Sequence, residues 1–256
     1  MSRPAPTVVV LPDPDVLAAA VAARLVTRLV DAQAERRTAS VVLTGGSGGI
    51  KALRAVRDSP ARAAVDWRRV DLWWGDERWV PADSPDRNDR QAAEALLDAL
   101  DLDPARVHAV SAVDGPDGDD PEAAAARYAG ELAAAAPTGA DVPAFDVLLL
   151  GMGPEGHIAS IFPESPAAHD DRTVVVVHGC PKPPPIRVSL GFAALNAARE
   201  VWLVVAGREK APMVALALSR PGRVQVPAAG VTGHLQTLWL LDEAAAGQLP
   251  RDLRRR

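Results

Sequence analysis

One histidine follows the carboxyl end of a predicted strand, a position where α/β proteins often place catalytic residues. His157 follows a glycine-rich turn at 151–156, which itself follows a continuous apolar run at 145–150. An uninterrupted apolar run bounded by turn residues is typical of a parallel strand buried on both faces. Open sheets of such strands form their ligand crevice just beyond the carboxyl ends of the strands. A neutral imidazole there can take a proton from water, so His157 is a candidate general base; a histidine on a surface loop is the alternative.

A second glycine-rich segment is a candidate phosphate-binding loop. Gly45, Gly46 and Ser47 lie between a short apolar strand predicted at 41–43 and a helix predicted at 50–57. In this arrangement backbone N–H groups and a helix N-terminus can cradle a phosphate. The segment lacks the Gly-Lys-Ser/Thr of a nucleotide P-loop and the glycine spacing of a dinucleotide fingerprint. A flexible turn without a ligand is the alternative.

Three charged residues follow another predicted strand. Asp76, Glu77 and Arg78 follow the run at 70–74, separated from it by Gly75. The planar fork of an arginine suits a phosphate or a carboxylate. The adjacent acids could orient that arginine or take part in proton transfer. The alternative is a solvated cluster of charges, but the tryptophans on either side argue against a fully solvated loop.

Lysine is rare in this chain. Of the 28 basic residues only three are lysines, Lys51, Lys182 and Lys210, and the others are arginines. In a chain so biased toward arginine, each lysine becomes a candidate for a functional role. Lys210 closes the run 207–210, directly after a strand predicted at 201–206.

Apolar periodicity and turn residues predict the elements that position these groups. Strands are predicted at 8–11, 41–43, 70–74, 107–110, 145–150, 173–177, 201–206 and 237–241, and helices at 16–36, 50–57, 89–100, 121–136, 192–199, 211–218 and 243–249. The repeated strand-then-helix order predicts an α/β fold, a three-layer sandwich around a mostly parallel, Rossmann-like sheet. Because no internal repeat or dividing linker is present, residues 1–256 are predicted to form one domain.

Local signals refine some of these boundaries. Asp13 followed by Pro14 predicts an N-cap and a first-turn proline for the first helix. Asn88 followed by Gln91 resembles a capping box at the start of a helix. His157 is predicted to stand at the start of a short helix.

Composition excludes several classes of protein. The 256 residues are 48% hydrophobic, and the formal charge of −5 gives no reason to expect nucleic acid or an anionic membrane surface as a partner. No apolar run reaches the roughly 18 to 20 residues of a membrane span, and the N-terminus does not resemble a signal peptide. The single Cys180 leaves no internal disulfide, and no cluster of histidines and acids has zinc-ligand spacing. We therefore expect a soluble cytoplasmic protein.

Five motifs occur in an order that resembles one family. They are Leu43-Thr44-Gly45-Gly46-Ser47, Gly75-Asp76-Glu77-Arg78, Gly151-Met152-Gly153-Pro154-Glu155-Gly156-His157, Arg187-Val188-Ser189-Leu190 and Gly207-Arg208-Glu209-Lys210-Ala211. Together they resemble the glucosamine-6-phosphate deaminase/6-phosphogluconolactonase family, and within it the lactonases. The resemblance extends from Val8 to about Ala246, and the run that ends at His157 is its most specific piece.

This resemblance implies a fold shared with glucosamine-6-phosphate deaminases and ribose-5-phosphate isomerases. It implies hydrolysis of 6-phospho-D-glucono-1,5-lactone, a small-molecule phosphosugar, to 6-phospho-D-gluconate in the oxidative pentose phosphate pathway, without a metal or a cofactor. We expect His157 to be the general base that activates water, and Asp76 to be either catalytic or only orienting. The expected substrate-binding residues are Gly45, Gly46, Ser47, Arg78, Arg187 and Lys210. A monomer is expected.

Three positions depart from the family pattern. Gly48 stands where the family usually has a threonine, so a hydroxyl that could touch phosphate is absent. Glu155 replaces the common aspartate before Gly-His, which keeps the charge on a longer arm. Ile158 replaces a threonine beside the histidine. None of these departures removes the histidine, the arginine or the lysine of the expected site.

Two other functions stay open at this point. An amino-sugar phosphate deaminase or isomerase on the same fold commonly has a tyrosine where this chain has Arg78, and Tyr128, the one tyrosine, lies in a predicted helix. A sugar-phosphate-sensing module of a transcriptional regulator would normally carry a DNA-binding segment. The acidic charge and the early strand at 8–11 argue against that second alternative.

Overall fold

Ten strands and six α-helices make up the described part of the chain, which in this computed structural model is residues 4–251 and 253–255. The strands are β1 (Thr7–Leu11), β2 (Ala39–Leu43), β3 (Val70–Trp74), β4 (Asp76–Arg78), β5 (Val107–His108), β6 (Val147–Leu150), β7 (Val174–Val177), β8 (Arg187–Leu190), β9 (Glu200–Val205) and β10 (Gln236–Asp242). The helices are α1 (Pro14–Arg36), α2 (Gly46–Asp58), α3 (Asn88–Ala95), α4 (Pro121–Ala135), α5 (Phe192–Leu195) and α6 (Ala211–Leu218). No helix within these ranges has both the length and the apolar character needed to span a bilayer.

Seven of the strands form one parallel sheet. Their order is β1-β10-β9-β6-β2-β3-β5, and every neighbouring pair runs parallel. The central strands are short apolar runs because parallel sheets are covered on both faces. In β6 all four residues are buried, as the continuous run in the sequence predicts. The α/β fold with a mostly parallel central sheet is therefore confirmed.

The side chains of each central strand alternate between two cores. In β6, Leu148 and Leu150 belong to one core, whereas Leu149 belongs to the other. The core around Leu149 is closed by α1, α2 and α3. The core around Leu148 is closed by α4, α5 and α6 together with a second sheet. Burying one such leucine stabilises the fold by about 1.5 to 3 kcal/mol. The result is the predicted three-layer sandwich.

The second sheet is antiparallel and has the order β4-β8-β7. In its register Asp76 pairs with Ser189 and Arg78 pairs with Arg187. The strand predicted at 173–177 is present as β7 and belongs to this small sheet. The charged residues 76–78, for which no element was predicted, form β4. A local pattern does not reveal β4, because its pairing with β8 joins segments more than 100 residues apart.

Gly75 connects the two sheets. Its N–H donates to the carbonyl of Leu43 at 3.0 Å, and its carbonyl accepts the N–H of Leu190 at 2.9 Å. One residue therefore bonds the end of β2 in the large sheet and the end of β8 in the small one. Since β4 begins at the next residue, this connection places Asp76 and Arg78 beside the carboxyl ends of the parallel strands.

Several predicted helix boundaries need correction. Asp13 caps α1 as predicted, accepting the N–H groups of Asp15 and Val16 at 2.8 Å. The predicted C-terminal helix at 243–249 is instead a series of turns, held in part by the Asp242 carboxylate, which accepts the N–H of Ala245 at 2.7 Å. The predicted helix at 192–199 ends at Leu195 as the short α5.

The capping box predicted at Asn88 is wrong as well. Asn88 is the first residue of α3, and its side chain caps nothing. Glu77 performs that role from β4, since its carboxylate accepts the N–H of Asn88 at 2.7 Å and that of Asp89 at 2.9 Å. A long-range carboxylate has replaced the local cap that the spacing suggested.

Candidate active site

A cavity of about 510 Å³ opens at the carboxyl ends of β2, β3, β6 and β9. All eight residues predicted for the site line it. They are Gly45, Gly46, Ser47, Asp76, Arg78, His157, Arg187 and Lys210. The parallel sheet and the small sheet thus bring together residues that are up to 165 positions apart in the chain.

The glycine-rich segment forms the first turn of α2, so the helix begins at Gly46 and not at residue 50 as predicted. Gly46 has φ +76, a conformation that favours glycine. A β-carbon on Gly49 would lie 2.4 Å from the carbonyl oxygen of Thr44, whereas Gly48 has ordinary room around it. No side chain caps α2. Its first N–H groups are therefore left for another acceptor, and they lie at the cavity wall.

His157 follows a tight turn and does not begin a helix, contrary to the prediction. Gly153 donates its N–H to the carbonyl of His157 at 3.0 Å, and Gly156 has φ +92. A β-carbon on Gly153 would lie 2.0 Å from the imidazole Nδ1. The ring also packs 4.5 Å from that of Phe162, measured between centroids. Glycines are needed here because the backbone folds directly over the imidazole.

The two nitrogens of His157 have different surroundings. Nδ1 is buried and lies 3.1 Å from Oε1 of Glu155, a contact that becomes an ion pair when the ring is protonated. Nε2 has no hydrogen-bond partner among the described residues, and His157 lines the cavity. A proton on Nδ1, beside the carboxylate, leaves the lone pair of Nε2 facing the cavity.

Burial lowers the pKa of His157 below its ordinary value of 6.5. The neighbouring charges act in both directions: Glu155 and Asp76 raise the pKa, and Lys182 lowers it. Because the burial effect is the largest, the imidazole is neutral near pH 7, the form in which it can accept a proton.

Asp76 is buried and held by several groups. Its Oδ2 accepts the hydroxyl of Ser160 at 2.6 Å, and its Oδ1 lies 3.3 Å from the Nδ2 donor of Asn88. Arg187 Nη1 is 3.8 Å from Oδ2. With both oxygens engaged, the carboxylate has a fixed orientation at the cavity wall.

Arg78 and Arg187 supply positive charge from neighbouring strands of the small sheet. Arg78 Nη1 donates to the carbonyl of Asp86 at 2.5 Å, and its buried Nε has no partner. Arg187 donates to the carbonyls of Lys182, Pro183 and Pro184 at 3.1 to 3.3 Å. Burial lowers the pKa of Arg187, against the attraction of Asp76. Arg187 therefore supports the proline-rich segment as well as the cavity wall.

Lys210 approaches from the turn that precedes α6. Burial lowers the pKa of its ammonium group, against the attraction of Glu209. It forms no ion pair or side-chain hydrogen bond with any residue in the described ranges. A partly buried lysine without a partner is suited to bind an anionic ligand.

Sequence reasoning missed three residues that complete the site. Asn88 and Lys182 line the cavity, and Ser160 holds Asp76 from behind. The rarity of lysine was a signal for Lys182, because all three lysines of the chain line this one cavity. Asn88 was predicted only as a helix cap, and Ser160 carried no signal, since the roles of both at the site depend on contacts with Asp76. Within residues 4–251 and 253–255, no group of three or more histidines, cysteines or acids is arranged to hold a metal ion.

Comparison with known proteins gives a consistent result. Residues 12–239 match the family described as glucosamine-6-phosphate isomerases/6-phosphogluconolactonase. The chain is 60% identical over 251 residues to a 6-phosphogluconolactonase of Streptomyces coelicolor, covering 97% of this chain and 96% of that protein. It is 49% identical over 242 residues to a 6-phosphogluconolactonase of Mycobacterium tuberculosis, covering 94% and 97% respectively.

Solved structures agree with these sequence matches. The 6-phosphogluconolactonase of Trypanosoma brucei superimposes with a TM-score of 0.82 at 30% identity, covering 97% of this chain and all of that one. A monomeric glucosamine-6-phosphate deaminase superimposes with a TM-score of 0.78 at 19% identity, covering 94% of this chain and 99% of that one. The second likeness shows a shared fold alone.

Proposed function

The chain belongs to the glucosamine-6-phosphate isomerase/6-phosphogluconolactonase family, and on that premise we propose that it hydrolyses 6-phospho-D-glucono-1,5-lactone to 6-phospho-D-gluconate in the pentose phosphate pathway. The observation that carries the proposal is the placement of His157. Its free Nε2 faces a cavity that is also lined by Gly45, Gly46 and Ser47 and by five cationic side chains. The nearly full-length likeness to lactonases from two bacteria favours this substrate over others on the same fold.

Lactone hydrolysis needs a positioned water, a base and stabilisation of a developing oxyanion. In the proposed reaction Nε2 of His157 takes a proton from water as the water oxygen bonds to C1. The bond between C1 and the ring oxygen then breaks, and His157 returns the proton to that oxygen. One water is added and the imidazole ends neutral. General acid–base catalysis of this kind contributes roughly 10² to 10⁴ in rate.

Glu155 supports this role by its position at Nδ1. An imidazole with one nitrogen beside a carboxylate keeps its proton on that nitrogen and its lone pair on the other. The contact also stabilises the imidazolium that forms after proton transfer. The longer arm of glutamate, compared with the aspartate common in the family, still reaches the ring at 3.1 Å.

The phosphate would be held away from the reacting carbon. Gly46 and Ser47, in the first turn of α2, line the cavity together with Arg78, Lys210 and Arg187. Binding energy from a remote phosphate can orient C1 beside the base. We assign the phosphate to these residues, with Gly45 contributing the bend that starts the helix.

Asp76 is assigned an orienting role in this proposal. The hydrogen bond from Ser160 and the contact with Asn88 leave its oxygens already engaged. Such a carboxylate can accept from a sugar hydroxyl or steady Arg187, but it is poorly placed to act as the base itself. The neutral imidazole of His157 suits that task better.

Replacement of His157 tests the proposal directly. His157→Ala should remove most of the acceleration above the spontaneous rate of lactone opening while leaving phosphogluconate binding largely intact. His169→Ala, which alters an exposed histidine outside the cavity, is the matched control and should keep full turnover. Wild-type turnover in His157→Ala would show that the base is another group.

The deaminase alternative is disfavoured by Tyr128. This tyrosine is 2% exposed, and its hydroxyl donates to the carbonyl of Trp74 and accepts the N–H of the same residue. It lies in the core and does not line the cavity, where Arg78 stands instead. Release of ammonia from glucosamine 6-phosphate would reverse this conclusion.

Location and assembly are part of the proposal. We place the protein in the cytoplasm, where its phosphorylated substrate would be formed, and we expect it to be a monomer. Sedimentation of the purified protein would test the second statement.

A further inference from the structure

Lys182 reaches the cavity from the proline-rich segment 181–185. The backbone of this segment is held at both ends: Cys180 donates its N–H to the carbonyl of Pro185 at 2.9 Å, and Arg187 Nη2 donates to the carbonyl of Lys182 at 3.1 Å. The position of Lys182 is therefore determined by the fold, although its side chain is about half exposed.

Lys182 and His157 approach the same carboxylate oxygen. Oε1 of Glu155 lies 3.0 Å from the Nζ of Lys182 and 3.1 Å from the Nδ1 of His157. The second oxygen, Oε2, also accepts from Lys182, at 3.3 Å. The negative charge of Glu155 is thus divided between an ammonium group and an imidazole.

This division matters because an unshared carboxylate would favour the charged form of the ring. An opposite charge within about 4 to 6 Å stabilises the protonated state of a histidine. We propose that Lys182 is a positioning residue of the catalytic site. By sharing Glu155 with His157, it reduces the stabilisation that this carboxylate gives to the protonated imidazole, which cannot act as a base. The inference rests on the proposed function, in which neutral His157 is the base.

The charges that face His157 are consistent with this arrangement. Glu155 and Asp76 raise its pKa, whereas Lys182 lowers it. Burial would raise the pKa of Glu155, but its own N–H, His157 and Lys182 lower it overall, so the carboxylate is ionised at neutral pH. Lys182 is the cation that directly contacts the carboxylate partner of His157.

The test follows the imidazole of His157 by NMR between about pH 5 and 8, which requires no activity. Lys182→Met should raise the titration midpoint by about half a unit to one unit, the effect expected of a partly exposed ion pair. The acid limb of kcat/KM should move upward with it. In a Glu155→Gln background the same substitution should raise the midpoint much less. Lys182→Arg should restore most of the original midpoint.

Lys51→Met is the matched control. Lys51 also lines the cavity and has a similar exposure, but it pairs with Asp15 at 2.7 Å. Its removal should leave the His157 midpoint unchanged. The inference is overturned if Lys182→Met leaves the His157 midpoint unchanged. It is also overturned if the shift is equal with and without Glu155, because Lys182 would then act by direct repulsion of the protonated imidazole. A large rise in KM without a shift would make Lys182 a substrate ligand instead. Failure of the base assignment would appear separately, in the His157→Ala assay.

Discussion

Gly45 lies so close to the side chain of Asn88 that position 45 has no room for a β-carbon. A β-carbon on Gly45 would lie 1.9 Å from the Oδ1 of Asn88. Asn88 cannot turn away, because its Nδ2 donates to the carbonyl of Asp76 at 2.8 Å and a flipped amide would set oxygen against oxygen. The start of α2 and the orientation of Asp76 are therefore linked through one amide.

The first prediction compares two glycines of the same turn. Gly45→Ala should destabilise the fold by about 1 to 3 kcal/mol, because overpacking must displace Asn88. Gly48→Ala should be neutral or stabilise by up to about 1 kcal/mol, since its β-carbon would meet Val204 at an ordinary 3.7 Å and alanine favours a helix. Urea unfolding of both variants measures the difference. Equal free energies of unfolding would contradict the contact with Asn88.

The second prediction concerns the pH dependence of activity. Because burial lowers the pKa of His157 and its neutral form is the proposed base, kcat/KM should rise with pH through a midpoint below 6.5. Glu155→Gln should move this midpoint lower still, since the charge of Glu155 raises the pKa of His157. Glu164→Gln, at an exposed carboxylate, should leave the profile in place. An acid limb above pH 6.5 would be incompatible with this assignment.

The third prediction concerns Glu77, which lies beneath the site. It is 1% exposed, and its carboxylate accepts the N–H groups of Arg78, Asn88 and Asp89. Glu77→Gln should lower the free energy of unfolding by about 1 to 3 kcal/mol, because an amide group must face one of these donors. Glu94→Gln changes an exposed carboxylate on the same helix as Asn88 and should cost less than about 0.5 kcal/mol.

Glu77 should also have a defined pH signature. Burial, with a further contribution from Asp89, raises its pKa to about 7, against the attraction of Arg87. A carboxyl group whose folded pKa is raised stabilises the fold fully below its unfolded value of 4.5 and loses that contribution as pH rises through 7. The difference in unfolding free energy between the wild type and Glu77→Gln should therefore fall over this window. A difference that grows with pH would show the opposite shift.

The fourth prediction separates two cationic residues of the cavity. Lys210→Ala should raise KM for the lactone with little change in stability, because Lys210 has no ion pair among the described residues. Arg187→Ala should raise KM and also cost about 1 to 3 kcal/mol, since three backbone carbonyls of the segment 182–184 lose their donor. An unchanged KM in Lys210→Ala would remove that residue from the phosphate site.

The parts of the fold that follow from local pattern were predictable. The buried run of β6 and the Asp13 cap of α1 each carry their signal within a few residues. The same is true of the placement of His157 beyond a strand end, because parallel strands share one carboxyl edge. The grouping of Gly45 with Lys210 in one cavity follows from that edge as well.

The elements and contacts that depend on residues far apart in the chain could not be predicted from local sequence patterns. The strand at 76–78 exists because it pairs with β8, and charged residues in a short run do not predict a strand. Asn88 was mistaken for a cap because Glu77, eleven residues earlier, supplies the acceptor for its N–H. The role of Ser160 is likewise visible only once Asp76 lies beside it.

The two hydrogen bonds of Gly75 have a consequence for the assembly of the cavity. Asp76, Arg78 and Arg187 belong to the small sheet. The proposed phosphate-binding segment at 45–47 instead follows β2 of the large sheet. Because Gly75 bonds to Leu43 on one side and Leu190 on the other, the small sheet cannot separate from the large one while these bonds persist. A chain in which only the parallel sheet had formed would keep Gly45, Gly46 and Ser47 together with Lys51 and Lys210, but it would lack Asp76 and the two arginines at the cavity.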